Sequence, residues 1–253
     1  MAAPTLIAAV EIDSPWAQAS ANIGTGVGAK AYATTLTTAA GDLIVALQGG
    51  EASADLGVLS TSDGVNTYTQ RAQRNTTNFC TLNIASATDS AGGTRTVSLN
   101  RSVTTTAKRC GGIAFQFRGH GGVGNVVAAT DSIQTANLTC SANSAILVIC
   151  LDWNATSGTR TWANIDGSGP TQTAGVSGDG ATWAAAVAYF ADVGAAGSKT
   201  ITLTAPTFGA ATFAAIEILG AASGTIDQAD YRWRNDDGSE TTATWAAAQG
   251  SNP

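Results

Sequence analysis

Apolar and polar residues alternate in short runs along most of the chain. Leu43, Val45 and Leu47 share one face of an extended segment. Ile113, Phe115 and Phe117 share another, with Gln116 and Arg118 on the opposite side, and Ile201 and Leu203 alternate with threonines. A period of two turns one face inward and the other outward, as in a half-buried strand. Gly, Asn, Asp and Ser punctuate these runs, as in Ser62-Asp63-Gly64 and Ala91-Gly92-Gly93. Many short strands with such turns predict an all-β, antiparallel β-sandwich or barrel.

The runs recur in order. Asp89-Ser-Ala-Gly-Gly-Thr-Arg-Thr-Val-Ser-Leu-Asn100 resembles Asp192-Val-Gly-Ala-Ala-Gly-Ser-Lys-Thr-Ile-Thr-Leu-Thr204. Upstream, Leu43–Leu47 matches Ile146–Cys150; downstream, Ile113–Gly119 matches Ala214–Gly220. Cys80, Leu82 and Ile84 align with Trp183, Ala185 and Val187, which places Cys80 and Trp183 inward. The expected architecture is an internal duplication, with related halves at about 30–125 and 126–222. Each half is expected to supply one sheet of roughly five strands, and the two sheets to cover each other in a jelly-roll-like sandwich spanning 1–222. Two separate small domains are the alternative. His120-Gly-Gly-Val-Gly-Asn125 reads as a short turn between the halves.

Past Gly220 the pattern changes. Ala221–Thr225 reads as a linker, and residues 223–253 as a C-terminal arm. Within it Tyr231 and Trp233 alternate with Arg232 and Arg234. Asn235–Gly238 is a turn signal, and Thr241, Ala243 and Trp245 share one face of a second strand. This predicts a β-hairpin, which alone is marginal in water and must pack on the sandwich, a second copy or another protein. Aromatic residues and Arg are enriched where proteins bind one another. The candidate partner-binding residues are therefore Tyr231, Arg232, Trp233, Arg234, Asp236, Asp237, Glu240 and Trp245.

Composition narrows the function. Of the 253 residues only 12% are charged, against about 25% in typical domains, and the net charge is −6. No basic block offers the electrostatic attraction that nucleic acid requires. No apolar run approaches the roughly 20 residues of a membrane helix, and Met1–Val10 lacks the basic start of a signal peptide. Neither a nucleic acid nor a membrane is expected as a partner.

Candidate chemistry is sparse. The one histidine, His120, sits in a Gly-rich stretch without a nucleophile motif and reads as an exposed turn residue. Glu217, on the outward side of a strand and aligned with Gln116, reads as solvated. Cys80, Cys110, Cys140 and Cys150 lack metal-ligand spacing and read as free, buried thiols. Asp236, Asp237 and Glu240 lack the alternation of a calcium loop, and Arg232 and Arg234 stand close enough to neutralise them. Gly24–Gly28 lacks the residues that follow a phosphate loop. The expectation is no enzyme activity, no cofactor and no metal. Trp16 reads as covering a sandwich edge. Trp153 and Trp162, near turns, read as packing beneath loops or, alternatively, as exposed rings that stack on a glycan.

Two features carry a resemblance. Ala40–Val45, Thr61–Thr69 and Ala91–Leu99 together resemble β-sandwich proteins of tailed bacteriophages and some bacterial surface proteins. The tail Tyr231-Arg-Trp-Arg-Asn-Asp-Asp-Gly-Ser-Glu-Thr-Thr-Ala-Thr-Trp245 is similar to a segment recurring in phage virion proteins and large bacterial surface proteins, often beside β-sandwich modules; here it ends the chain instead of leading into another module. The resemblance implies a virion or surface structural role; the expectation is a virion protein, made in the host cytoplasm and present as a homo-oligomer or in many copies on a particle. A capsid cement or decoration protein binding the major capsid protein is the first expectation. A tail-associated receptor- or carbohydrate-binding module, contacting a tail protein and a glycan, is the second.

Overall fold

The computed structural model describes residues 4–12, 32–52, 59–75, 80–101, 107–129, 134–152, 159–177, 184–209, 211–220, 229–234 and 240–245. Every regular element among them is a strand. The first eight are β1 (Thr5–Ile12), β2 (Tyr32–Thr38), β3 (Asp42–Ala52), β4 (Leu59–Ser62), β5 (Thr69–Asn75), β6 (Cys80–Asp89), β7 (Gly93–Arg101) and β8 (Ala107–Arg118). The next eight are β9 (His120–Ala129), β10 (Thr135–Cys140), β11 (Ala145–Asp152), β12 (Thr161–Trp162), β13 (Gln172–Ser177), β14 (Ala184–Phe190), β15 (Gly197–Ala205) and β16 (Ala211–Gly220). A hairpin follows, β17 (Ala229–Arg234) and β18 (Glu240–Trp245).

The strands form antiparallel sheets of order β1-β8-β3-β6-β5, β2-β7-β4, β13-β14-β11-β16-β9 and β10-β15-β12. Adding eight to each strand number of the first two gives the last two, the third read in reverse. Each half thus holds eight strands in two sheets, not the single five-stranded sheet expected from the sequence. Its first strand begins at Thr5, and the halves meet at Gly119, whose positive φ of 62° turns the chain directly from β8 into β9. His120–Asn125, expected as a turn, lies within β9.

The five-stranded sheets of the two halves pack face to face. Leu43, Val45, Leu47, Leu82, Ile84, Ile113, Phe115 and Phe117 meet Leu147, Ile149, Leu151, Val187, Tyr189, Ile216 and Ile218 in one core. Fully burying such side chains contributes about 1.5–3 kcal/mol each. Phe117 and Tyr189 join across the interface with ring centroids 5.8 Å apart. A second core lies on the other side of β14-β11-β16, where Ile146, Val148, Cys150, Phe190 and Phe213 meet Leu138, Trp162, Ile201 and Leu203. The architecture is a stack of three, five, five and three strands.

The ladders correct one alignment. Leu43 pairs with Phe117 and Ala145 with Ile218, so Leu43 is equivalent to Ala145 and Leu47 to Ile149. Matching Leu43–Leu47 to Ile146–Cys150 is one residue out, and a one-residue slip exchanges the faces of a strand. With the register set, Gly49 is equivalent to Leu151, and the two touch: a Cβ on Gly49 would lie 3.1 Å from Leu151 Cδ2 and closer still to Cδ1. Corresponding ladder positions of the two large sheets thus touch across the interface.

Candidate functional site

The hairpin forms as expected, with Tyr231 opposite Ala243, Trp233 opposite Thr241, Arg234 opposite Glu240 and Ala229 opposite Trp245. Arg232 pairs with Thr242. Among the described residues it is a two-stranded sheet of its own, with β17 lying beside β1 and β18 near β13. Those are edge strands of the two facing sheets. Asp236 and Asp237 lie outside the described residues, as do Trp16, Trp153 and Trp183.

Trp162 is 5% exposed and belongs to the second core, among Leu138, Ile165 and Leu203. The packing reading is the one the fold realises, and the indole face is not offered to a glycan. Cys140 and Cys150 are buried free thiols. Burial, reinforced by the charge of Glu217, pushes Cys140 up to about 12; burial also pushes Cys150 well above the usual thiol range. Both stay protonated and unreactive at neutral pH.

Glu217, expected in solvent, is 0% exposed. The outward face of β16 packs against the β10-β15-β12 sheet, and Glu217 lies there between β10 and its ladder neighbour β9. Glu217 Oε2 accepts from the Asn125 N–H at 2.9 Å; Oε1 accepts from the Ser141 N–H at 2.5 Å and the Ser144 hydroxyl at 2.7 Å. Gly124 makes room, since a Cβ there would strike the carboxylate. One carboxylate thereby joins β9, the β10–β11 turn and β16.

Its equivalent, Gln116, is also buried and donates to the Thr37 carbonyl at 3.1 Å and to Asp42 Oδ2 at 2.6 Å. Asp42 accepts both arms of Arg118, at 2.9 and 2.8 Å, and the Ala39 N–H at 2.8 Å. Nearby, Asp89 accepts from Thr38 and from the N–H groups of Ala91 and Gly92. Arg95 Nη2 donates to it at 3.0 Å, and Arg95 Nε lies 2.7 Å from Oδ2 as a charge contact without hydrogen-bond alignment. Burial pushes both carboxyls up, but these donors outweigh it and hold Asp42 and Asp89 below the usual carboxylate range.

A depressed folded-state pKa stabilises the protein above the unfolded value of about 4, and that contribution disappears as pH falls through the folded value. The melting temperature is expected to fall steeply below pH 4, and Asp89→Asn to flatten that fall relative to neutral pH. A thermal-melt series across this range reads the difference.

His120 is half-buried in β9, not exposed in a turn. Its Nδ1 accepts the Gly122 N–H at 2.9 Å, so Nε2 carries the proton and donates to the Gly41 carbonyl at 2.8 Å. Both ring nitrogens are taken by backbone, and the imidazole fastens the second half to the β2–β3 turn of the first. Lys199, buried in β15, pairs with Asp166. Among the described residues, no three His, Cys, Asp or Glu side chains converge as a metal site.

Sequence reading missed a row of amides, Gln48, Gln73 and Asn83, on the outer face of the first half's large sheet. Its signal was present: polar residues at alternate strand positions where the second half carries Cys150, Gly175 and Ala186. Comparison with protein-family models, curated proteins and solved structures gave no match.

Proposed function

We propose that this chain is a non-catalytic virion structural protein, a cement or decoration protein that binds a capsid shell through its body and its C-terminal hairpin. The observation that carries this reading is that, among the described residues, the hairpin forms a two-stranded sheet of its own, lying beside β1 and near β13 without joining either ladder. A strand pair of this kind presents backbone edges that a neighbouring chain can extend. Its sequence sets Tyr231 and Trp233 in alternation with Arg232 and Arg234, the residue types that anchor interfaces.

The body suits such a role. Within each half, the order β1-β8-β3-β6 facing β2-β7-β4, and its counterpart eight strands later, fits a jelly roll of two Greek keys. We read the chain as two such units joined by duplication. The buried carboxylates Asp42, Asp89 and Glu217 serve hydrogen bonds that tie strands and turns together. Many copies on one particle convert a weak single contact into firm attachment.

Particle imaging with copy counting tests the reading. Many copies over the head support decoration; a few copies at the tail favour the receptor-binding alternative. Deleting residues 226–253 is expected to remove only the two hairpin strands, leaving a folded β body by circular dichroism, and to abolish particle binding. Normal binding by the folded, truncated protein would overturn the arm's role. The amide row favours the second reading, a saccharide-binding tail module, enough to develop it separately.

A further inference from the structure

The two halves fill equivalent spaces with opposite chemistry. Between its five- and three-stranded sheets, the second half packs Cys150, Trp162, Ala186, Phe190 and Phe213. Ladder equivalence places Gln48 where Cys150 stands, Asn83 where Ala186 stands and Gly112 where Phe213 stands. Ala87 takes the place of Phe190. The last pairs of β2–β7 and β10–β15, Thr38 with Gly93 and Cys140 with Gly197, set Leu99 against Leu203. Thr61, opposite Leu99, then takes the place of Trp162, opposite Leu203. Apolar bulk is exchanged for amides, a hydroxyl and small residues.

The amides are ordered. Gln48 lies opposite Asn83 on the β3–β6 ladder, and Asn83 opposite Gln73 on the β6–β5 ladder. Gln70, exposed on the edge strand β5, donates to Asn83 Oδ1 at 3.1 Å and to Gln73. The row therefore runs from solvent inward. At its inner end Gln48 is 2% exposed, Asn83 0% and Thr61 9%. Yet Gln48 Oε1, Asn83 Nδ2 and Thr61 Oγ1 have no hydrogen-bond partner. Buried amides and hydroxyls are rarely left so, because they forfeit their bonds to water.

The geometry points to a binding site for a neutral saccharide, between β4 and the β3-β6-β5 part of the large sheet, entered from the β5 edge. The unpaired groups are one acceptor, one donor and one hydroxyl, which a sugar's hydroxyls complement because each donates and accepts. The row contains no formal charge to hold a carboxylate or a phosphate. Of the neighbouring charges, Asp42 pairs with Arg118 and Asp89 with Arg95, while Asp63, just past β4, accepts from the Val65 and Asn66 N–H groups, the Asn66 amide and the Tyr68 hydroxyl. The site deepens the tail-module reading but does not depend on particle assembly: it lies inside the first half, away from the hairpin.

Saturation-transfer NMR on the full chain, with glucose, galactose, mannose, N-acetylglucosamine and their β-linked disaccharides, tests the site. At least one is expected to bind, and Asn83→Ala, which copies the second half's residue, to weaken it tenfold or more. Gln73→Ala, at a half-buried position, is the second variant should the first lose its fold, and is expected to weaken binding as well. Thr200→Ala, on the exposed face of the second half, should leave binding unchanged. No saccharide bound by the folded wild type would mean that the row holds only water, and would overturn the proposal. Binding retained in folded Asn83→Ala and Gln73→Ala would overturn it too.

Discussion

Glu217→Ala is expected to remove about 3–5 kcal/mol of unfolding free energy. The buried carboxylate accepts from two backbone N–H groups and the buried Ser144 hydroxyl. Removing it strands all three donors, and each unpaired buried group costs about 1–3 kcal/mol, with incomplete additivity. The cavity adds a further penalty. Glu217→Gln keeps one acceptor but turns an amide NH₂ toward a donor, so a smaller loss of about 1–3 kcal/mol is expected. Urea unfolding of the three proteins reads both numbers. A Glu217→Ala variant within 1 kcal/mol of wild type would be incompatible with the buried geometry.

Tyr189→Ala is expected to cost about 3–5 kcal/mol, the range for emptying a large aromatic site in a core. Tyr189 is fully buried between the facing sheets, against Phe117. The corresponding ladder positions are Ser86 and Ile218, and β6 runs close to β16 on that side. Side chains smaller than the two rings stand there, whereas the rings fill the gap between β8 and β14. The interface is a wedge whose thick side depends on these rings. Tyr189→Phe is expected to cost no more than about 1 kcal/mol, because the hydroxyl makes only a 3.4 Å contact to the Pro4 carbonyl. Equal losses for the two variants would show that the ring does not hold the sheets together.

The sequence was informative where one face of a strand is apolar and the other is not. Leu43, Val45 and Leu47, and Ile113, Phe115 and Phe117, do point into the central core. It was uninformative where a strand is buried on both faces. Ala145–Asp152 is buried along its whole length, so its apolar run carries no alternation and its register could not be read. That is the origin of the one-residue misalignment. The Thr-rich outer strands, such as Tyr32–Thr38 and Gly197–Ala205, are half-exposed covers whose partner sheet is distant in sequence. Without them the layer count came out as two, and Glu217 and Gln116 were assigned to a solvated face. The donors that bury Glu217, at Asn125, Ser141 and Ser144, lie more than 70 positions away. The hairpin, by contrast, was legible because its pattern and its turn are local.

A double-mutant cycle at Gly49 and Leu151 tests the face-to-face packing of the two halves most directly. Their contact joins one half to the other across the facing five-stranded sheets. Gly49→Ala alone is expected to destabilise the protein by about 1–3 kcal/mol through overpacking. In the Leu151→Ala background, where the opposing methyl groups are gone, the same change should cost nothing or restore stability. Additive effects of the two substitutions would mean that these residues do not meet and that the halves do not pack through their five-stranded sheets.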